Sequence, residues 1–136
     1  MANSLFDWGR DAFLNGAIDW TVDTINVALV TSAYTPDLAN HKFLSDLGGD
    51  TVGTDQTIGS TSSAAGVANG AGVTWTAVPS GSTVKALVIY KSTGVAGTSR
   101  LIAYLDTDVG GLLPLATNGG NISATWDTGA NKIFKL

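Results

Sequence analysis

The second half of the chain is cut into short runs in which apolar and polar residues alternate, each closed off by turn-forming residues. Val73-Thr74-Trp75-Thr76-Ala77-Val78 is the clearest run, and Pro79-Ser80-Gly81-Ser82 turns the chain after it. Thr83 to Lys91 and Arg100 to Asp106 follow between Gly-rich loops. Ile122 to Trp126 and Asn131 to Leu136 read as a last pair joined through Asp127-Thr128-Gly129. A period of two places alternate side chains on opposite faces of a sheet, so these runs predict short antiparallel strands. Gly, Ser, Thr, Asn and Asp supply nearly half of the 136 residues, and these types favour turns and half-buried strands over helix interiors. The length fits one domain, residues 1–136. The expectation is a mainly β chain folded as a single antiparallel β-sandwich, jelly-roll-like, with two short α-helices in the N-terminal third.

The first helix is expected within an N-terminal segment spanning 1–16. Ser4 is placed to cap it; Leu5, Trp8, Ala12 and Phe13 share one face, and Asn15-Gly16 ends it. Ile25, Val27 and Leu29 then alternate as a strand. A second helix is expected after Thr35, with Pro36 at its first position and Asp37 at the positive end of the dipole. Leu38, Phe43, Leu44 and Leu47 form its buried side, and Gly48-Gly49 stops it. Residues 48–72 are poor in large apolar side chains, which predicts an edge strand over Thr51 to Ile58 and then a long Gly/Ser/Thr-rich loop.

Charge and composition exclude several classes. Only 13% of residues are charged, the net charge is −4, and the seven cations are scattered, which argues against binding the phosphates of nucleic acid. No apolar run approaches the roughly 20 residues needed to span a bilayer, so no membrane contact is expected. Asp7, Arg10 and Asp11 interrupt the first apolar residues, so no signal peptide is expected. The chain has no cysteine, which removes disulfides and thiolate metal sites.

Catalytic chemistry finds little footing. The single histidine, His41, lies in the second helix pattern. A catalytic base needs a nucleophile and an orienting carboxylate, yet there is no nucleophile elbow or cysteine and Ser45 is only four residues away on the helix, so His41 reads as a partly exposed helix residue. Asp106-Thr107-Asp108-Val109-Gly110-Gly111 looks like the start of a calcium loop, but Thr117 stands where the bidentate Glu belongs and the chain contains no Glu. Gly70-Ala71-Gly72 precedes a strand where a dinucleotide fingerprint must open a helix. Eleven aspartates offer no spacing that selects a hydrolytic pair. The expectation is therefore no enzyme and no cofactor. Trp8, Trp20, Trp75 and Trp126 read as core fillers, with a platform for stacking sugars as the alternative.

Three stretches carry more than composition: MANSLFDWGRDAFLNGAIDW, ALVIYKSTGVAGTSRLIAYLDT and NGGNISATWDTGANKIFKL. They resemble a family of small structural proteins of tailed bacteriophages, and the chain is most like a capsid decoration, or cement, protein. The likeness covers nearly the whole chain and thins from Gly48 to Gly72. The resemblance implies a virion structural protein on the outer capsid surface, made in the host bacterial cytoplasm. It also implies a major capsid protein partner and a homotrimer. A minor tail or adsorption protein that binds a receptor or glycan is the alternative. The expected partner contacts lie in a marginal helical start and in a loop with too little apolar content to hold itself. They are Ser4, Leu5, Phe6 and Asp7, with Val52, Thr54 and Ile58.

Overall fold

A computed structural model describes residues 3–107, 113–130 and 132–136. The chain is mainly β and its sheets are antiparallel. The main sheet is built on β7 (Thr83–Lys91), which pairs with β2 (Ile25–Thr31) along one side. Along its other side it pairs in tandem with β8 (Arg100–Leu105) and β9 (Leu115–Ala116). β1 (Ser4–Leu5) adds to β8 and β3 (Thr51–Thr57) adds to β2, giving the order β1-β8-β7-β2-β3. Two small sheets complete the strands. β10 (Ile122–Ala124) pairs with β6 (Val73–Trp75), while β5 (Val67–Asn69) lies between β4 (Ser62–Ala64) and β11 (Phe134–Lys135).

Both faces of the main sheet's central strands are buried. Val27, Leu29, Val84, Ile89 and Ile102 point to one face, where Trp20, Val73, Trp75 and Ile133 cover them. Ala28, Ala86, Val88, Leu101 and Tyr104 point to the other, against Phe6, Tyr34 and Leu47. This explains why β2 is buried nearly throughout rather than on alternate residues.

Several expectations change in the folded chain. The described residues form no clear two-sheet sandwich or jelly roll, because the covering layer is split into two small sheets whose strands are three residues or fewer. The runs expected to pair as the last hairpin join different sheets, β10 with β6 and β11 with β5. The loop expected after β3 contains a hairpin: Ala65 and Gly66 at φ 51° and 81° make the two-residue turn between β4 and β5.

Helix α1 (Asp7–Leu14) begins after Phe6, since Ser4 and Leu5 are held in register with Tyr104 and Ala103 of β8. Ser4 is therefore a strand residue rather than a helix cap. The helix ends as expected at Asn15-Gly16, where the Ala17 and Gly16 N–H groups donate to the Ala12 and Phe13 carbonyls at 2.8 and 3.4 Å.

The second expected α-helix is absent. Phe43 is extended (φ −123°, ψ 160°), and only a short 3₁₀ turn, Leu44–Leu47, follows. The physical reason is competition. Lys42 O accepts from Leu101 N–H at 3.0 Å, and Leu44 N–H donates to Ser99 O at 2.8 Å. Backbone groups given to β8 cannot also close helical turns.

The β8 edge as a candidate contact site

The outer edge of β8 is covered end to end by two pieces of chain far apart in sequence. Ser4 and Leu5 pair with Tyr104 and Ala103, and Phe6 N–H donates to Ile102 O at 2.9 Å. Lys42 to Leu44 continue the cover past Leu101, with Phe43 bridged to Arg100. At the junction α1 starts, tied to the second segment by Asp7 N–H donating to Leu38 O at 2.9 Å. Helix and strand approach so closely that a Cβ on Gly9 would lie 2.6 Å from Leu101 O.

Four side chains cluster at this junction. Lys42 Nζ lies 4.3 Å from the centre of the Trp8 ring and 5.4 Å from that of Phe43. The Arg100 guanidinium lies 5.1 Å from the Phe43 ring. Cations over ring faces are held by the negative quadrupole of the π-system. Arg100 Nη1 is enclosed and has no hydrogen-bond partner. Beside the cluster, Asp46 Oδ2 accepts from Lys42 N–H at 2.7 Å and from Phe43 N–H at 2.9 Å, which holds its carboxyl below the usual range. Arg10 is paired with Asp7 at 3.0 Å.

The expected contact residues separate into two groups. Ser4 and Asp7 lie at the β8 edge, with Asp7 exposed, whereas Leu5 and Phe6 are buried and fasten the segment from inside. Val52 and Thr54 lie on β3, at the opposite edge of the sheet, with Thr54 exposed. Ile58 just beyond is 3% exposed and belongs to the core. The fold therefore does not bring the two expected segments together. In sequence, Trp8 and Phe43 read as buried helix-face residues, whereas Trp8 is 38% exposed. Lys42 and Arg100 are not singled out there, because no local spacing links them.

At the β3 edge a second polar cluster runs from the pair of buried Tyr90 and half-buried Asp55 to the exposed Thr57. The Tyr90 hydroxyl donates to Asp55, and Thr57 Oγ1 donates to Asn26 Oδ1 at 2.7 Å. Burial pushes the Asp55 carboxyl up, against the pull of the Tyr90 bond, and burial also pushes the Tyr90 hydroxyl up.

His41 accepts at Nδ1 from the Asp37 N–H at 3.3 Å, and the same atom lies 2.6 Å from the Tyr34 hydroxyl. It sits in a turn rather than a helix, so this ring serves local structure. An open groove of about 380 Å³ is lined by Phe13, Trp20, Val67, Phe134 and Leu136. Trp20 stands edge-on to Phe134 at 5.1 Å.

Among the described residues no three His, Cys, Asp or Glu side chains converge as metal ligands, and no helix is long and apolar enough to cross a membrane. Asp108 to Gly111 of the calcium-like stretch fall outside the described residues. Compared with known protein families and with curated proteins, the chain matches none.

Proposed function

We propose that this chain is a small structural protein of a tailed-phage virion, a decoration protein that binds the major capsid protein on the outer shell as a homotrimer. The observation that carries the reading is how the three resembling stretches meet. The first supplies β1, α1 and Trp20, the second the β7–β8 hairpin, and the third β10 and β11. Leu5 pairs with Ala103, while Phe134 packs on Phe13 at 6.0 Å and on Trp20 at 5.1 Å. The likeness thus falls on one contiguous unit, with a β8 edge cover at its surface. On this reading the small sheets over the main sheet are a reduced, sandwich-like second layer.

A protein that binds only the assembled shell stabilises it by mass action, and a trimer touching several subunits gains through effective concentration. With 13% charged residues, little charge need be desolvated on docking.

The glycan-binding alternative draws on the tryptophans. Trp20 and Trp75 are buried, at 5% and 1% exposure. Trp126 is half-buried with its indole N–H donating to Ala71 O at 2.8 Å, and the Trp8 ring is occupied by Lys42. This arrangement favours the shell reading. Quantitative mass spectrometry of purified virions tests it: the expected result is hundreds of copies per particle, on the scale of a capsid lattice. A handful of copies at the tail overturns it.

A further inference from the structure

We propose that the Trp8–Lys42–Phe43–Arg100 cluster is a carboxylate-binding contact that takes an Asp or Glu side chain of the partner protein. The inference deepens the proposed function and rests on it for the kind of partner, a protein shell.

The chain has more carboxylates than cations, 11 against seven, yet neither Lys42 nor Arg100 forms an ion pair among the described residues. Arg10 and Lys91 each hold an aspartate, at 3.0 and 3.1 Å. The carboxylates on the adjoining elements are already engaged, Asp46 by two backbone N–H groups and Asp7 by Arg10.

Arg100 is half-buried, and its enclosed Nη1 has lost water without gaining an acceptor. That is a cost carried by the cover over β8, and a docked carboxylate meets Lys42 Nζ and the rest of the half-buried guanidinium instead. A guanidinium N–H and a lysine ammonium both make charge-assisted bonds to a carboxylate. The Phe43 ring under Arg100 and the Trp8 ring under Lys42 each shield one side of a cation from water, which strengthens the attraction. Trp8 is 38% exposed, and Trp and Arg are the residue types that dominate interface energetics. A net charge of −4 selects against a polyanion such as nucleic acid while leaving room for one carboxylate at a local positive site.

Two arms test the proposal. In the first, a hexa-aspartate peptide is titrated into the full chain while tryptophan emission is followed, Trp8 being the exposed reporter. The expected result is a saturable change that weakens roughly tenfold or more in Lys42→Gln and Arg100→Gln, less in Arg100→Lys, and not in Lys135→Gln at exposed β11. Lys42→Gln removes a half-exposed charge and keeps the test open if the Arg100 variants fail to fold. No saturable change in the wild type overturns the proposal, as does tighter binding of a single-stranded DNA oligonucleotide than of the peptide.

In the second arm, the same variants are bound to purified shells lacking this protein. Loss of occupancy in Lys42→Gln and Arg100→Gln supports the carboxylate contact, and unchanged occupancy overturns it while leaving the shell reading intact. Peptide binding by a wild type that ignores shells overturns the shell reading and leaves the carboxylate site standing.

Discussion

At Gly9 a single added carbon decides whether α1 seats on β8. A Cβ there would meet Leu101 O at 2.6 Å and Ile102 Cα at 3.0 Å, and both are backbone atoms of a paired strand that cannot swing aside. Gly9→Ala is therefore expected to destabilise the fold by about 1–3 kcal/mol despite its gain in helix propensity, read as a lowered urea midpoint. Asp55 poses the opposite question. Its folded-state pKa is raised above the ordinary 3.8, so the fold prefers the protonated acid. The stability this site contributes is full below pH 3.8 and is lost as pH rises through the raised value. Asp55→Asn keeps an acceptor for Tyr90 without the charge. Thermal melts from pH 4 to pH 7 should show the variant gaining on the wild type as pH rises, and parallel curves would refute this origin of the pH dependence.

The elements divide by how local their cause is. Alternation between turn signals placed β2, β7 and β8, and the apolar-poor stretch after Gly48-Gly49 placed β3, within a residue at most of their ends. The β4–β5 hairpin escaped because Ser62, Ser63 and Ala64 carry no apolar alternation and Ala65 is not a residue that announces a left-handed turn. Ala65→Gly relieves that φ, partly offset by the freedom glycine adds to the unfolded chain, for an expected gain of up to about 1 kcal/mol in denaturant melts. The second helix was misread for another reason. Leu38, Phe43, Leu44 and Leu47 are spaced for a helix, and Leu47 is indeed buried with Leu38 and Leu44 against the same face. What denied them a helix is an edge made by residues 99–101, invisible in any local window. Asp46 holds the replacement turn, so Asp46→Ala should cost about 0.5–2 kcal/mol, as loss of a helix cap does. Because its folded pKa is lowered, the Asp46 contribution is present above pH 3.8 and disappears as pH falls through the folded value, which acid titration of the variant against wild type will read.

On the scale of the molecule, the two segments expected to share one contact surface lie at opposite edges of one sheet. A marginal helical start flagged one and an apolar-poor loop the other, whereas their separation depends on strand order, which neither signal encodes. Removing residues 1–7 would strip Leu5 and Phe6 from the core along with the surface residues, so it tests folding and not contact. Asp7→Ala leaves those anchors in place, and on the shell reading it is expected to shift shell occupancy by no more than about threefold, the usual scale for a rim charge. The tandem cover of β8 has a consequence in time. Ser4 reaches Tyr104 across most of the chain and Lys42 reaches Leu101 across more than a third of it, and contacts of such long range form slowly. Both covering segments, however, precede β8 in the sequence, so synthesis from the N-terminus delivers the covers before the strand they cover. On the ribosome β8 meets its own partners first, whereas refolding from denaturant leaves its edge bare at a stage when neighbouring chains compete for it.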